Sequence, residues 1–429
     1  MSAWAGVCMT SAAKEVPKPL SVKLNMLVNA AGSLFYQGCL WLITVLVVAL
    51  SHGYEASGVL AFAMTIGNMF NPIATYSIRT YQVSDTDEKY SSNNYVAMRM
   101  ITILGALAVM VPYALTFSTY RPSMLCVILY LLFKCDEAFS DVLFGIYQRG
   151  ERLDYSSVSQ SLRGVLVVAL FSLGLGVFKS LELAMLGMFV GGVLVTLLYD
   201  VWHAKRFTEL APYIKRSQTF ALLRECLPVV LATLFSNAVV SVARQHFGET
   251  YGAELLGKYA SVATPAVLVQ ALSQFLFTPV LVPLSRKWAE GSGFVAYLTK
   301  SLGLTVVLVI AVVVLVALAG PWLLTTVYGP SIADSIYLLP GVLVCTVLLA
   351  LSRFLCDTLV VCRNMRGVLV SNALALVACL VLMTPIEAGQ GAQGINIVVA
   401  LATLAGIVAS VVALVLSIRR RSATQEEAS

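Results

Sequence analysis

Charge is scarce in this chain. Of 429 residues only 12% are Asp, Glu, Lys or Arg, 59% are hydrophobic, and the mean hydropathy is +0.86. A soluble domain of this size cannot bury so much apolar surface, so the composition excludes one and points to a polytopic membrane protein. Histidine is nearly missing: His52, His203 and His246 stand apart, and there is no HExxH, no GxSxG and no His/Cys cluster at metal-ligand spacing. No metal, cofactor or covalent chemistry is therefore expected, and the chain does not read as an enzyme. GxxxxGK[ST] is absent, which excludes an ATP-driven pump within this chain. The nine cysteines fall mostly inside apolar runs and form no CxxC pair, so they read as small core residues rather than a disulfide frame. Residues 1–24 contain Lys14, Glu15, Pro17, Lys18 and Pro19 and no apolar core of signal-peptide type, and are expected to form a cytoplasmic tail.

Long apolar runs fill the rest. Twelve can be counted, each near the ~20 residues a helix needs to span a bilayer: about 25–50, 56–78, 97–118, 123–148, 157–178, 182–202, 222–244, 256–284, 295–318, 336–362, 367–385 and 394–417. The formal charge of +6 would suggest nucleic acid, but its distribution rejects that partner. With the N-terminus inside, 22 of the 28 Lys and Arg fall on the cytoplasmic side, only Arg121, Lys179, Arg244 and Lys258 fall outside, and Lys134 and Arg353 lie at membrane depth. The expected fold is all-α, with two six-helix bundles, 25–202 and 222–417, both termini cytoplasmic (tails 1–24 and 418–429), and a basic linker at 203–221. The outer loops are too short to house a catalytic domain.

One run breaks the apolar rule. Residues 130–149, YLLFKCDEAFSDVLFGIYQR, carry Lys134, Asp136, Glu137 and Asp141 inside a membrane-length segment. An uncompensated charge at the bilayer centre costs roughly 2.5–3.5 kcal/mol, so such groups face protein or water. At about 100° per residue, Lys134, Glu137, Asp141 and Gln148 share one arc and Asp136 points elsewhere. The arc reads either as a lining of a water-filled pathway or as an internal ion pair that locks packing. Other helices carry milder polar faces: Asn25, Asn29, Ser33 and Gln37; Thr65, Asn68, Asn71, Thr75 and Arg79; Thr233, Ser236, Asn237 and Arg244; Gln270, Ser273 and Gln274. Singly these are ordinary helix–helix hydrogen bonds, worth ~0.6 kcal/mol; together they suggest a polar interior cavity. Pro72, Pro228, Pro265, Pro279 and Pro283 would kink helices or free backbone carbonyls. The loop VSDTDEKYSSNN, with Asp85, Asp87 and Glu88, reads as a solvated turn.

The two halves look related. After Asp141 comes VLFGIYQRGERL, and after Asp357 comes TLVVCRNMRGVL; superposing the aspartates pairs Gln148 with Asn364 and Leu153 with Leu369. Each segment is the fourth of its half, and repeats with a site between them are a transporter pattern.

The stretches KLNMLVNAAGSLFYQGCLWLITVLVVAL, SIRTYQVSDTDEKYSSNNYVAMRM and FSDVLFGIYQRGERLDYSSVSQSLRG, with LLRECLPVVL and FTPVLVPLSRKWAEG, closely resemble the Wzx-type polysaccharide (O-antigen) flippases. These belong to the multidrug/oligosaccharidyl-lipid/polysaccharide exporter superfamily, which is MATE-like. The resemblance runs from about Lys23 to the last helix. It implies two six-helix bundles in a V around a central cavity, in the bacterial cytoplasmic membrane. It also implies movement of undecaprenyl-pyrophosphate-linked oligosaccharide from inner to outer leaflet, for O-antigen, lipopolysaccharide or exopolysaccharide synthesis. The pyrophosphate would then meet Lys134, Arg353 and Arg79, with Arg244 near the outer mouth. Asn25, Asn29, Gln37, Asn68, Asn71 and Asn237 would bond sugar hydroxyls. Glu137, Asp141 and Asp357 would hold those cations or bind a coupling proton or sodium ion. Membrane lipids, a polysaccharide polymerase and glycosyltransferases are the implied neighbours. The rivals are a multidrug cation antiporter of the same superfamily, which would want an acidic, aromatic cavity, and a membrane polymerase or ligase, which would want a large outer loop.

Overall fold

The computed structural model describes residues 17–51, 53–85, 89–117, 119–290 and 293–428. Most of the expected tail 1–24 lies outside them, as do His52, Asp87 and Glu88 and the side chains of Gln274 and Pro279. Among the described residues every regular element is helical. The first half holds α1 (Val22–Ser51), α2 (Glu55–Thr75), a short α3 (Ile78–Ser84), α4 (Ser92–Ala114), α5 (Met124–Arg149), α6 (Leu153–Gly176), α7 (Leu181–Val195) and α8 (Val201–Ala204). The second holds α9 (Arg216–Val262), α10 (Thr264–Glu290), α11 (Phe294–Tyr328), α12 (Leu339–Val361), α13 (Met365–Gln390) and α14 (Gly394–Ala428). Each of the twelve apolar runs lies largely within these helices. Among the described residues, eight helical stretches are long and apolar enough by composition to cross a membrane.

The apolar pattern decides which helices face outward. In α11 Leu304, Val307, Leu315 and Leu318 are all more than half exposed, which suits a helix bathed in lipid. α5 is the opposite. Its charges keep it out of the apolar set, and α2, α4 and α7 wall it in, burying Val127, Leu131, Phe133 and Val142 completely. A helix with five charged residues is tolerable at membrane depth only in such a sheltered place.

The halves meet mainly along α2 and α9. Pro72 in α2 has no N–H to give to the carbonyl of Asn68, and that freed oxygen accepts from Asn237 Nδ2 of α9 at 3.1 Å. At the other end of the seam the backbones touch: a Cβ on Gly58 would overlap the Ala253 carbonyl, and one on Gly257 would overlap that of Tyr54. α9 breaks at Gly252 (φ +85°), a conformation open to glycine. The eighth apolar run thus starts just past a glycine break in α9, and the next helix boundary, between Val262 and Thr264, falls beside Pro265. α2 ends where Tyr76 and Ser77 both take left-handed φ (47° and 53°), and the chain restarts as α3.

Candidate functional site

The polar arc of α5 exists: Lys134 pairs with Glu137 within the helix, and Glu137, Asp141 and Gln148 are met by side chains of other helices. Lys134 Nζ donates to Glu137 Oε2 at 2.5 Å, and the Tyr36 hydroxyl of α1 donates to Glu137 Oε1. The ammonium also lies 5.6 and 5.7 Å from the Tyr130 and Phe133 rings. Gly67 of α2 permits this, because a Cβ there would come within 2.6 Å of Tyr130 and 3.4 Å of Lys134 Cγ.

One turn further along α5, Asp141 receives two cations. Arg99 of α4 donates at 2.6 Å and Arg79 of α3 at 3.2 Å, while Arg79 also bonds Gln148 Oε1 at 3.0 and 3.2 Å. The end of α2 explains the Arg99 position. The Ala74 carbonyl has lost its helical partner and takes hydrogen bonds from Arg99 Nη1 (3.1 Å) and Thr102 Oγ1 (2.7 Å) instead. The Arg99 side chain is 0% exposed, whereas Arg79 and Asp141 are 27% and 28% exposed. Two guanidiniums against one carboxylate leave a positive surplus whose open member is Arg79.

Asp136, off the arc as expected, enters a third and fully enclosed cluster. Its carboxylate takes Arg163 Nη1 of α6 at 2.6 Å and Thr196 Oγ1 at 2.6 Å; Arg163 Nη2 bonds Thr196 at 2.7 Å and also reaches Ser140. The buried Asp200 carboxylate lies 3.6 Å from the same guanidinium. A π-helical turn, Thr196–Asp200, joins α7 to α8 and contributes both Thr196 and Asp200 to this cluster. Two carboxylates around one guanidinium leave a surplus negative charge.

The remaining expected site residues are dispersed. Arg353, 55% exposed, sits 3.9 Å from Asp357, at the edge of ion-pair reach. Arg244 lies over the Tyr259 ring at 5.7 Å. Neither is brought against Lys134 or Arg79. Asn68, Asn71 and Gln37 are exposed and Asn237 is half-buried. Asn25 is buried and spends its amide on the start of α6, accepting from Leu153 N at 2.9 Å and donating to the Glu151 carbonyl at 2.5 Å. Asn29 accepts from Ser156 Oγ at 3.0 Å. Both tie α1 to α6 rather than opening toward a cavity.

Sequence reasoning missed Arg99, Arg163 and Asp200. The two arginines were counted with the cytoplasmic loops, yet each lies within an apolar run and is buried in the bundle. A charge inside a membrane-length run was itself the available signal. The turns that end the fourth apolar segment of each half match, but in a register four residues from the one expected. Gly150, Glu151 and Arg152 donate to the carbonyls of Ile146, Gln148 and Tyr147; Cys362, Arg363 and Asn364 donate to those of Thr358, Val360 and Leu359. Glu151 and Arg363 both take left-handed φ, 52° and 56°. These matching turns pair Asp141 with Arg353, one helical turn from the aspartate-on-aspartate superposition, so equivalent positions carry opposite charge.

Outside the membrane segments, the turn before α4 is held by Asp85. Partial burial raises its carboxyl pKa, but hydrogen bonds from the Tyr95 hydroxyl (2.6 Å) and the N–H groups of Tyr90 and Lys89 (both 3.0 Å) outweigh that and hold it below the usual carboxylate value.

Helices packed in this order, with charged clusters sheltered among them, define a multi-pass membrane protein of the MATE-like transporter fold. The structure is similar to an inward-facing MATE-family multidrug resistance transporter of the MOP superfamily (TM-score 0.69, 14% identity, 91% of this chain and 96% of that one). It is also similar to the lipid II flippase MurJ in an inward closed conformation (TM-score 0.67, 12% identity, 92% and 90%). Within that class the chain belongs to the polysaccharide biosynthesis protein family, whose profile matches residues 25–289. The capsular polysaccharide biosynthesis protein CapF of Staphylococcus aureus is 21% identical over 215 residues, 49% of this chain; the chain spans about half the length of that curated relative, 53%.

Proposed function

We propose that this protein is a flippase that carries lipid-linked oligosaccharide, of the undecaprenyl-pyrophosphate type, from the inner to the outer leaflet by alternating access. The observation that carries the reading is the positive surplus around Asp141. Arg99 is fully buried and holds the carboxylate, which leaves Arg79 partly open, and Asn68 and Asn71 of α2 are exposed. A fixed, partly desolvated guanidinium is suited to a pyrophosphate, and exposed amides are suited to sugar hydroxyls. Lys134, already bound to Glu137, is the second cation on the same face of α5, and Arg353 and Arg244 stand at the second half's side.

The division into bundles 25–202 and 222–417 joined by a cytoplasmic linker at 203–221 belongs to the same reading. It places both ends, and most basic residues of the loops, on the cytoplasmic side of a bacterial cytoplasmic membrane. A coupling ion, proton or sodium, would act on Glu137, Asp141 or Asp357. The surplus carboxylate of the Asp136–Arg163–Asp200 cluster is a further place for a proton. Glycosyltransferases and a polysaccharide polymerase would supply and consume the cargo. The rival reading, a multidrug cation antiporter, takes support from the MATE-type fold, but a cationic drug would be repelled at Arg79.

The test is complementation of a polysaccharide-flippase-null strain by wild type, Arg79→Ala, Lys134→Ala and Arg353→Ala, with surface polymer and inward-facing lipid-linked units both measured. Restoration by wild type, with accumulation of inward-facing units in correctly folded Arg79→Ala, is the expected result. Failure of wild type in strains with different repeat units, together with efflux of a cationic dye, would sink the reading.

A further inference from the structure

A groove of about 500 Å³ runs between α13 and α14, on the outer surface of the second half. Its walls follow from helical spacing. Arg366, Val370 and Leu374 form an i, i+4 row on α13, and Val408, Val412, Leu416 and Arg420 form one on α14. Between them the floor is the small-residue row Ala405, Ala409, Ala413 and Ser417, with Gly367 opposite. The helices pack so closely there that a Cβ on Gly367 would come within 3.0 Å of Ala413 Cβ. Small floor residues under tall walls make the furrow.

Three properties specify what fits it. The walls are apolar and open: Val370, Leu374, Val408, Val412 and Leu416 are 48–61% exposed. Both wall rows end in an exposed arginine at the same end, beside Asn364, which donates to Ser417 Oγ at 2.9 Å. The rise from Arg366 to Leu374 is about 12 Å and from Val408 to Arg420 about 18 Å at 1.5 Å per residue. That is close to half of the ~30 Å hydrocarbon core. The groove is thus one leaflet deep, apolar along its length and cationic where headgroups lie.

We propose that this groove is a binding site for an anionic phospholipid of the leaflet on the Arg366–Arg420 side. One acyl chain lies along the alanine floor, and the phosphodiester sits between the two guanidiniums. Nothing in the proposal depends on the flippase reading, which concerns α5 and the α2–α9 seam.

Native mass spectrometry of the full chain released from detergent tests it, with 1-palmitoyl-2-oleoyl phosphatidylglycerol and its phosphatidylcholine counterpart as probes. Wild type should retain phosphatidylglycerol preferentially. Arg366→Gln/Arg420→Gln, on the surface, should weaken that retention about 25-fold, since each basic group at an anionic headgroup is worth roughly a factor of five. Ala409→Phe, which fills the floor, should weaken retention of both lipids. Equal retention of the two lipids, or phosphatidylglycerol binding unchanged in the double variant, would overturn the proposal even if Ala409→Phe fails to fold. Stoichiometric displacement of phosphatidylglycerol by a polyprenyl phosphate would overturn the phospholipid as occupant in favour of the substrate's own tail.

Discussion

The enclosed cluster of Asp136, Arg163 and Asp200 makes the sharpest demand on stability. Its Arg163 side chain is 2% exposed and Asp200 is fully buried, so charge removed there cannot be replaced by water. Arg163→Met leaves two carboxylates without a counter-charge, and removing one member of a buried pair costs about 3–5 kcal/mol. Asp136→Ala removes the 2.6 Å partner but leaves Asp200 at 3.6 Å, so Arg163 keeps a weakened counter-ion and the loss should be smaller. Asp136→Asn should be mildest. It keeps the side-chain shape and an oxygen for Arg163 or Thr196, and it leaves one cation facing one anion; the loss is about one charge-assisted hydrogen bond, roughly 1.5–3 kcal/mol before the relief of the surplus charge. Apparent melting temperatures of the three variants in detergent, followed by fluorescence-detected size exclusion, give the order. If one half melts as a unit of about 200 residues, Arg163→Met should fall by on the order of 10 °C. Arg163→Met melting as high as Asp136→Asn would refute the argument, because it would mean that the two acids do not need the guanidinium.

Three further outcomes follow from other contacts. Gly58→Val should force α2 from α9 at the Ala253 carbonyl and abolish surface-polymer rescue, whereas Gly105→Ala, with open space around it, should leave folding and rescue intact. Asn25→Ala should lower stability by about 1–2 kcal/mol through the lost hydrogen bonds at the start of α6, while transport per folded molecule stays unchanged. Asp85, whose folded pKa is depressed, contributes stability above the ordinary carboxylate pKa that is lost as pH falls through the folded value. The melting gap between wild type and Asp85→Asn should therefore be full near neutral pH and close only in strong acid.

Much of the site was half-legible. The α5 arc could be read from angular spacing, because side-chain direction on one helix is a local property. Which arginine answers which acid could not. Arg79 and Arg99 reach Asp141 from α3 and α4, and Arg163 reaches Asp136 from α6, so these pairings depend on where whole helices pack. The repeat shows the same division. A shared pattern after the fourth helix was visible, but its register was set by backbone turns at Glu151 and Arg363, neither of which has the glycine that would have marked it.

The sequence by itself determined that this is a membrane protein of many helices, where those helices run, and that α5 cannot face lipid. Hydropathy and charge act on each segment separately, so they are written segment by segment. The tertiary structure alone decided that Arg99 and Arg163 belong to the interior, that Asn25 and Asn29 tie α1 to α6, and that Arg79 stays partly open. Burial and pairing are properties of several helices at once, and no single stretch of chain encodes its neighbours.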